Sequence, residues 1–139
     1  MNVTSTYELD ATGGVARVRS FTGPACNACG GNTGASYEYT AAQQISQVAD
    51  AEGTVTAYTY DADGNMLTVT RTGIRNGVAS SATITMTYTT LGRIASIDGP
   101  RTDVSDVTSF AYYPDAAAQG HNRGQLRTVT NALGQVTTF

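Results

Sequence analysis

One phrase of the sequence constrains the fold more than any other: a pair of tyrosines followed by a short turn that closes on glycine. Its clearest copy has Tyr58 and Tyr60 before the turn and apolar residues after it, with Asp61 opening the turn and Gly64 closing it. Partial copies of the phrase or of its turn occur at Tyr7-Glu8-Leu9-Asp10-Ala11-Thr12-Gly13, Tyr37–Ile45, Asp50-Ala51-Glu52-Gly53, Tyr88-Thr89-Thr90-Leu91-Gly92 and Asn131-Ala132-Leu133-Gly134. Recurrence of one short unit along a chain indicates a repeat architecture.

The residue types of this turn predict its geometry. In Asp-x-x-Gly, the Asp side chain accepts a hydrogen bond from the backbone two residues later, and Gly adopts the left-handed conformation after a type I turn. The combination predicts a β-hairpin with a glycine bulge, and a bulge increases the twist of the strands. In the copy at residues 37–45, Gln43 stands where the other turns have Gly.

The segments beside the turns have the alternation of β-strands. Ile84, Met86 and Tyr88 alternate with threonines, a period of two. For the segment Ala41–Ala51 a helix is the alternative to strands, but the alignment of this segment with the other copies favours a hairpin. The predicted strands lie near 3–9, 15–21, 36–40, 44–49, 54–60, 66–72, 82–88, 93–98, 107–113, 125–130 and 135–139, and the longer connections are 22–35, 73–81 and 114–124.

Sequential hairpins of this kind predict an all-β fold, an antiparallel meander that forms a curled or spiralling sheet. We expect one domain over residues 1–139, divergent at 1–35 and more clearly repetitive at 36–139. Only 14% of the residues are charged, the net charge is −3 and no basic run occurs, so nucleic-acid binding through a basic patch is not expected. No apolar stretch approaches the ~20 residues of a membrane-spanning helix.

The phrase from Tyr58 to Leu67 resembles the YD repeat of bacterial RHS proteins, teneurins and toxin-complex shell proteins. The resemblance is strong at 54–70 and weaker at 37–53, 86–98 and 124–139. By match to the motif, the structural residues are Tyr58, Tyr60, Asp61, Gly64, Tyr88, Gly92, Asp50, Gly53, Asp10, Gly13, Asn131 and Gly134. The resemblance implies a secreted or cell-surface bacterial protein whose repeats form a shell around a toxin domain or an extracellular scaffold.

The chain departs from the shell proteins in one respect. Their end segment carries Asp-Pro and Gly-Leu motifs and a self-cleaving Asp, but none of Pro24, Pro100 and Pro114 follows an Asp. We therefore expect an internal segment, or a short member that assembles to cover its edge strands. Its expected partners are further repeats of a parent chain or copies of itself, with glycans or an enclosed toxin domain as further candidates.

The pair Cys26-Asn27-Ala28-Cys29 is the sharpest local motif. It admits a local disulfide or two free thiols that tighten a loop, an intermolecular link, half of a zinc site, or a redox pair. Zinc requires four ligands, and the chain offers one other good ligand, His121. A redox pair normally precedes a helix, whereas Gly and Pro flank this one. The sequence favours a structural role, a possible disulfide between Cys26 and Cys29, and predicts no metal and no cofactor.

Other candidates for chemistry have simpler interpretations. Asp61-Ala62-Asp63-Gly64-Asn65 resembles the opening of a calcium loop, but an EF-hand has Gly at its sixth position rather than its fourth. His121 stands where other turns have Asp, without a visible partner for general-base catalysis. Asp98, Asp103 and Asp106 are interpreted as loop residues.

The expected function is that of a structural, non-catalytic module. The tyrosines either pack across strands or form a sugar-stacking platform on an exposed face. The first interpretation predicts part of an extracellular or toxin-encapsulating shell, with edge-to-edge self-assembly into an oligomer or filament as one form of it. The second predicts a carbohydrate-binding or adhesion module that uses exposed Tyr and Thr.

Overall fold

The computed structural model describes residues 4–9, 16–22 and 34–139. Eleven strands lie in this part of the chain, each forming part of one meander whose spatial order equals the chain order. The strands are β1 Thr4–Leu9, β2 Ala16–Thr22, β3 Gly34–Tyr39, β4 Ile45–Asp50, β5 Val55–Tyr60, β6 Met66–Arg75, β7 Val78–Tyr88, β8 Ile94–Asp98, β9 Thr108–Tyr112, β10 Leu126–Thr130 and β11 Val136–Thr138. The all-β antiparallel meander predicted from the sequence is confirmed.

The predicted strands agree closely with the observed ones, with one correction. The sequence predicts a surface connection at 73–81, whereas these residues are mostly strand and only Asn76 and Gly77 form a turn. Both have positive φ, 52° and 77°, as a type I′ hairpin requires. The prediction was wrong because Asn-Gly was counted among loop residues rather than as the strongest short hairpin signal. The connection 114–124 contains a short 3₁₀ helix, Ala117–Asn122.

The described residues divide into two compact units. One comprises the described residues within Met1–Thr59 together with Val69–Ala82, and the other comprises Tyr60–Thr68 with Thr83–Phe139. The expectation of a single domain over 1–139 stays a prediction. Helices long and apolar enough to cross a membrane do not occur in the part of the chain that the structure describes.

The Asp-x-x-Gly turns are built by the same hydrogen bonds. Asp61 Oδ1 accepts from the amides of Asp63 (3.0 Å) and Asn65 (2.8 Å), while the Gly64 amide donates to the Asp61 carbonyl at 3.2 Å. Gly64 has φ 86°. This is a type I turn that ends in a left-handed glycine, and the left-handed conformation is costly for any residue with a Cβ.

Three further turns repeat this pattern with different capping atoms. In each, a side-chain oxygen of the first residue accepts from the amides two and four residues later. The caps are Asp50 Oδ1, Thr89 Oγ1 and Asn131 Oδ1, and the closing glycines are Gly53, Gly92 and Gly134, all with positive φ. The turn therefore requires a side-chain acceptor and a left-handed residue, but it does not require a carboxylate.

The strand ladders contain a one-residue shift beside several of the tyrosines. The register shifts between Glu38 and Tyr39 in the β3–β4 pair and between Thr87 and Tyr88 in the β7–β8 pair. An extra residue on one strand is a β-bulge, which bends that strand and increases its local twist. The extra residues are Ser46 in β4 and Ala95 in β8, so both bulges lie just after the hairpin turns.

Among the described residues, no side chain is fully buried, polar or apolar. Large apolar side chains remain exposed instead, including Leu133 (83%), Ile74 (81%) and Phe139 (64%). An ordinary domain places its apolar side chains between two packed layers. Neither unit shows such a core in its described residues.

Candidate functional site

Three tyrosines attach one hairpin to the strand before it. The hydroxyl of Tyr39 donates to the Val18 carbonyl at 2.8 Å. In the same way, Tyr88 donates to the Met66 carbonyl at 2.7 Å. Tyr112 repeats the contact in a third hairpin, with the Ile94 carbonyl at 2.8 Å. Each hydroxyl donates to a carbonyl near the start of the preceding strand. The hydrogen bond therefore links the last residue of one strand to the beginning of the strand before it.

Arginine covers two of these tyrosine rings. The guanidinium carbon of Arg17 lies 5.2 Å from the centroid of Tyr39, and that of Arg93 lies 5.6 Å from the centroid of Tyr112. At these distances the ring face attracts the cation. In both cases the arginine directly precedes the residue whose carbonyl accepts the tyrosine hydroxyl. We call each set of arginine, tyrosine and accepting carbonyl a hairpin clamp.

The clamp arginines also reach the left-handed residue of the next turn. Arg17 Nη1 donates to the Gln43 carbonyl at 2.9 Å, and Nη2 donates to Gln43 Oε1. Gln43 has φ 69°. In the second clamp, a Cβ added to Gly124 (φ 68°) would lie 2.5 Å from Arg93 Nη2. In the first clamp, the arginine thus contacts the backbone of a residue with positive φ, Gln43. In the second clamp, Gly124 has no side chain, and this leaves room for the guanidinium of Arg93.

A third position has a smaller residue in place of arginine. Asn65 precedes Met66, whose carbonyl accepts the hydroxyl of Tyr88. Asn65 Nδ2 donates to Asp61 Oδ2 at 2.9 Å, so this side chain stays within its own turn. A Cβ added to Gly92 would lie 4.0 Å from Asn65 Oδ1. The residue at this position of the repeat thus contacts either the next hairpin, as Arg17 and Arg93 do, or its own turn, as Asn65 does.

The carboxylates of the turns are held in their charged form by hydrogen bonds. The Asn65 side chain, with backbone amides of the turn, lowers the pKa of Asp61. The pKa of Asp50 is lowered chiefly by the Thr54 amide. Hydrogen bonds to the ionised form favour it. These carboxylates are engaged by their own turns, which accounts for Asp61 without a calcium ion.

Loop residues singled out in the sequence have local partners. Asp103 forms an exposed ion pair with Arg101 at 2.8 Å, which lowers the pKa of the Asp103 carboxyl. Asp106 Oδ2 accepts from the Arg101 amide at 3.1 Å, while Asp106 Oδ1 is buried without a hydrogen-bond partner in the described residues. His121 is exposed, and its carbonyl accepts from the Gln125 side chain at 2.7 Å. The structure does not join these residues into one reactive cluster.

The predicted motif residues are distributed along the hairpins. Tyr58 and Tyr60 lie in β5, Tyr88 ends β7, and the paired turn residues Asp50 with Gly53, Asp61 with Gly64 and Asn131 with Gly134 open and close their turns. Gly92 closes the turn that Thr89 opens. Asp10, Gly13, Cys26 and Cys29 lie outside the described residues, so the disulfide stays a prediction.

Sequence reasoning did not identify the clamp arginines. Arg17 acts on a residue 26 positions later, a separation that no local motif reveals. A signal was present for Arg93, which directly follows the Gly92 of a turn.

Comparison with protein families supports the resemblance found in the sequence. The family model described as RHS Repeat matches residues 39–73, a segment that contains Tyr39, Gln43 and the complete turn from Asp61 to Asn65. The resemblance to the RHS/YD-repeat family is thereby confirmed. A comparison with curated proteins found no match.

Proposed function

We propose that this chain, which carries an RHS repeat, is one non-catalytic segment of a longer β-repeat sheet. The observation that carries this proposal is the lack of a fully buried side chain among the described residues. Forty per cent of the sequence is hydrophobic, and burial of apolar surface is the main favourable term in folding. A sheet that keeps this surface half-exposed is stabilised when further repeats or an enclosed domain cover it.

The outer strands support the same proposal. In the described residues, β1 pairs with β2 alone and β11 pairs with β10 alone. An unpaired strand edge is a template for another strand. Near β11 the exposed apolar side chains are Leu133, Val136 and Phe139. Further repeats of a parent chain, or a second copy of this chain, would pair with such an edge.

The family resemblance extends the proposal to location and cargo. A parent sheet of this kind would be secreted or displayed on a bacterial surface, and it would enclose a toxin domain or serve as an adhesive scaffold. A carbohydrate-binding module is the alternative function. The described tyrosines from Tyr37 onward are all half-buried, and the hydroxyls of Tyr39, Tyr88 and Tyr112 each donate to a carbonyl of a neighbouring strand. This internal use supports the structural role over a sugar-stacking platform.

A mass measurement with an edge-blocking variant tests the proposal. The Phe139 amide donates to the Arg127 carbonyl of β10, so strand alternation directs the Thr138 amide away from β10. Thr138→Pro removes a donor from the open edge without removing a hydrogen bond to β10, and Thr138→Val keeps the donor as a matched control. Light scattering after size exclusion should show a mass that rises with concentration for the chain and for Thr138→Val.

The parent-chain version is tested by a tandem fusion of two copies. In repeat proteins, stability is approximately a sum of unit and interface terms. The fusion should therefore unfold at higher urea concentration than the single chain, and Thr138→Pro in the first copy should abolish the gain. A chain that stays a monomer at all concentrations, together with a fusion no more stable than the chain, would contradict the proposal.

A further inference from the structure

The β6–β7 hairpin is longer than its neighbours. β6 has 10 residues and β7 has 11, whereas β5 has 6 and β8 has 5. The pairing of β8 with β7 covers Thr85–Tyr88. On that side, residues Val78–Ala82 of β7 pair with no strand among the described residues. We call residues 71–82 the arm; its β7 residues are all exposed.

The free side of β7 presents backbone hydrogen-bonding groups. Across the β7–β8 hairpin, the Thr89 amide donates to the Arg93 carbonyl at 2.8 Å. Backbone groups alternate in direction along a strand, so odd-numbered residues of β7 point the same way as Thr89. The N–H and C=O groups of Ala79 and Ser81 therefore face the unpaired side. They form a short template for one more antiparallel strand.

A shallow cleft of about 430 Å³ lies on the arm. Its lining contains two arginines, Arg71 and Arg75, with Gly73 between them on β6. Ser80 and Ala82 of β7 line the same cleft, so their side chains share a face with the arginines. A Cβ added to Gly73 would lie 3.4 Å from the Thr54 hydroxyl, which places this hydroxyl at the floor. Guanidinium and hydroxyl groups share the lining with apolar surface, and no carboxylate of the described residues belongs to it.

The charge of the two arginines is not neutralised at close range within the described residues. Among the residues that the structure describes, no ion pair shorter than 4 Å joins Arg71 or Arg75 to an acid. Arg71 acts electrostatically on Asp50, whose carboxylate already accepts hydrogen bonds from the Glu52 and Thr54 amides of its own turn. Guanidinium groups bind carboxylates through paired N–H donors. The arm therefore has positive charge beside a strand edge.

We propose that the arm binds an extended acidic polypeptide segment. The segment pairs with Ala79 and Ser81 as an added strand. Side chains of the segment opposite Ser80 and Ala82 lie on the cleft face, where glutamate or aspartate carboxylates reach Arg71 and Arg75. Exposed Ile74 and Val78 (81% and 66%) provide apolar contact near the tip of the hairpin. This site is separate from the outer edges at β1 and β11.

Binding of a defined probe tests the proposal. The probe is a fluorescein-labelled peptide of alternating glutamate and valine, and its control is the same peptide with glutamine in place of glutamate. Fluorescence anisotropy with the full chain should show saturable binding of the acidic peptide, weakened by added salt. Unlabelled glutamate and inorganic phosphate are the competitors that carry charge without a backbone to pair.

Variants separate the charges from the strand edge. Arg71→Gln and Arg75→Gln should each weaken binding by about tenfold, because each removes a charge-assisted contact. Arg101→Gln, an exposed arginine elsewhere on the chain, is the charge-matched control and should leave binding unchanged. Ser81→Pro removes an outward amide and should abolish binding, whereas Ser81→Ala keeps that amide and should bind normally.

Several outcomes would overturn the proposal. These are the absence of saturable binding, equal binding of the glutamine peptide, unchanged affinity in Arg71→Gln and Arg75→Gln, and full competition by phosphate at the concentration of the peptide. Normal binding by a folded Ser81→Pro chain would exclude strand addition. Circular dichroism checks the fold of each variant, and the two arginine variants decide the question if Ser81→Pro does not fold.

Discussion

The turn at residues 40–44 and the turn at 61–65 have the same backbone conformation, but different contacts stabilise them. Both begin with a side-chain acceptor, Thr40 Oγ1 or Asp61 Oδ1, and both place a left-handed residue fourth. At 61–65 that residue is Gly64, and Asn65 donates to Asp61 within the turn. At 40–44 it is Gln43, held by an arginine from another hairpin.

This difference shows two ways to stabilise one conformation. A turn with Asp and Gly contains its own stabilising groups, since the carboxylate accepts local amides and Gly has no Cβ to strain. A turn with Thr and Gln has a weaker cap and a strained residue, so it depends on tertiary contacts. The clamp of Arg17 provides those contacts and at the same time fixes the neighbouring hairpin.

The largest expected effect is at Arg17. Arg17→Met removes the donors to Gln43 and uncovers the Tyr39 ring, and we expect it to destabilise the chain by about 2.5 kcal/mol. Asn65→Ala, the equivalent change in the other turn, should cost less because Asp61 Oδ1 still accepts from the backbone amides of that turn. Urea unfolding at one fixed protein concentration measures both. Equal losses would show that the two turns do not differ in their support.

A double-mutant cycle sharpens the same comparison. Gln43→Gly relieves the left-handed strain, worth about 1 kcal/mol, but it also removes the side-chain acceptor of Arg17. The substitution should be nearly neutral in the native chain and stabilising in the Arg17→Met background. Additive effects of the two changes would mean that Arg17 and Gln43 are not coupled.

Glycine substitutions give the next largest effects. Gly53 (φ 84°) has no atom within 4 Å of an added Cβ, so Gly53→Ala should cost only backbone strain, about 1 kcal/mol. At Gly124 the same Cβ meets Arg93, which must leave its place, so Gly124→Ala should cost about 2 kcal/mol. Urea unfolding of both variants tests this order. If Gly53→Ala costs as much as Gly124→Ala, Arg93 does not contribute to its turn.

The tyrosine hydroxyls should contribute less. Tyr112→Phe leaves the half-buried Ile94 carbonyl without its donor, and we expect a loss of about 1 kcal/mol. Tyr113 is the matched control in the next position, since its hydroxyl makes a longer, exposed contact of 3.4 Å with the Phe139 carbonyl. Tyr113→Phe should be close to neutral. If thermal unfolding shows a larger loss of stability for Tyr113→Phe than for Tyr112→Phe, the Tyr112 hydroxyl does not contribute to the clamp.

Local signals explain what could be predicted from the sequence. The turn at 61–65 is self-contained, so its Asp and Gly could be identified from four neighbouring residues, and the strands beside it followed from alternation. The clamps could not be predicted because Arg17 and Tyr39 are separated by 22 positions and meet only after β2 and β3 pair. The arm was missed for a different reason: Asn76-Gly77 is a strong hairpin signal, but the Gly, Asn, Ala and Ser residues of 73–81 together have the composition of a loop.

The smallest expected effect is a difference in pH dependence between capping by Asp and capping by Asn. Hydrogen bonds lower the pKa of Asp61 in the folded chain, so its contribution to stability is present above the pKa of the unfolded chain, about 3.9. That contribution is lost as pH falls through the lower, folded-state pKa. Asn131 already caps an equivalent turn without a charge.

Asp61→Asn should therefore be slightly less stable than the native chain at pH 7 and should lose less stability between pH 5 and pH 2. Asp63→Asn, an exposed change in the same turn, controls for net charge and should keep the native acid dependence. Urea midpoints measured across this range decide the matter: parallel curves for Asp61→Asn and the native chain would show that the carboxylate of Asp61 adds nothing to a turn that an amide can cap equally well.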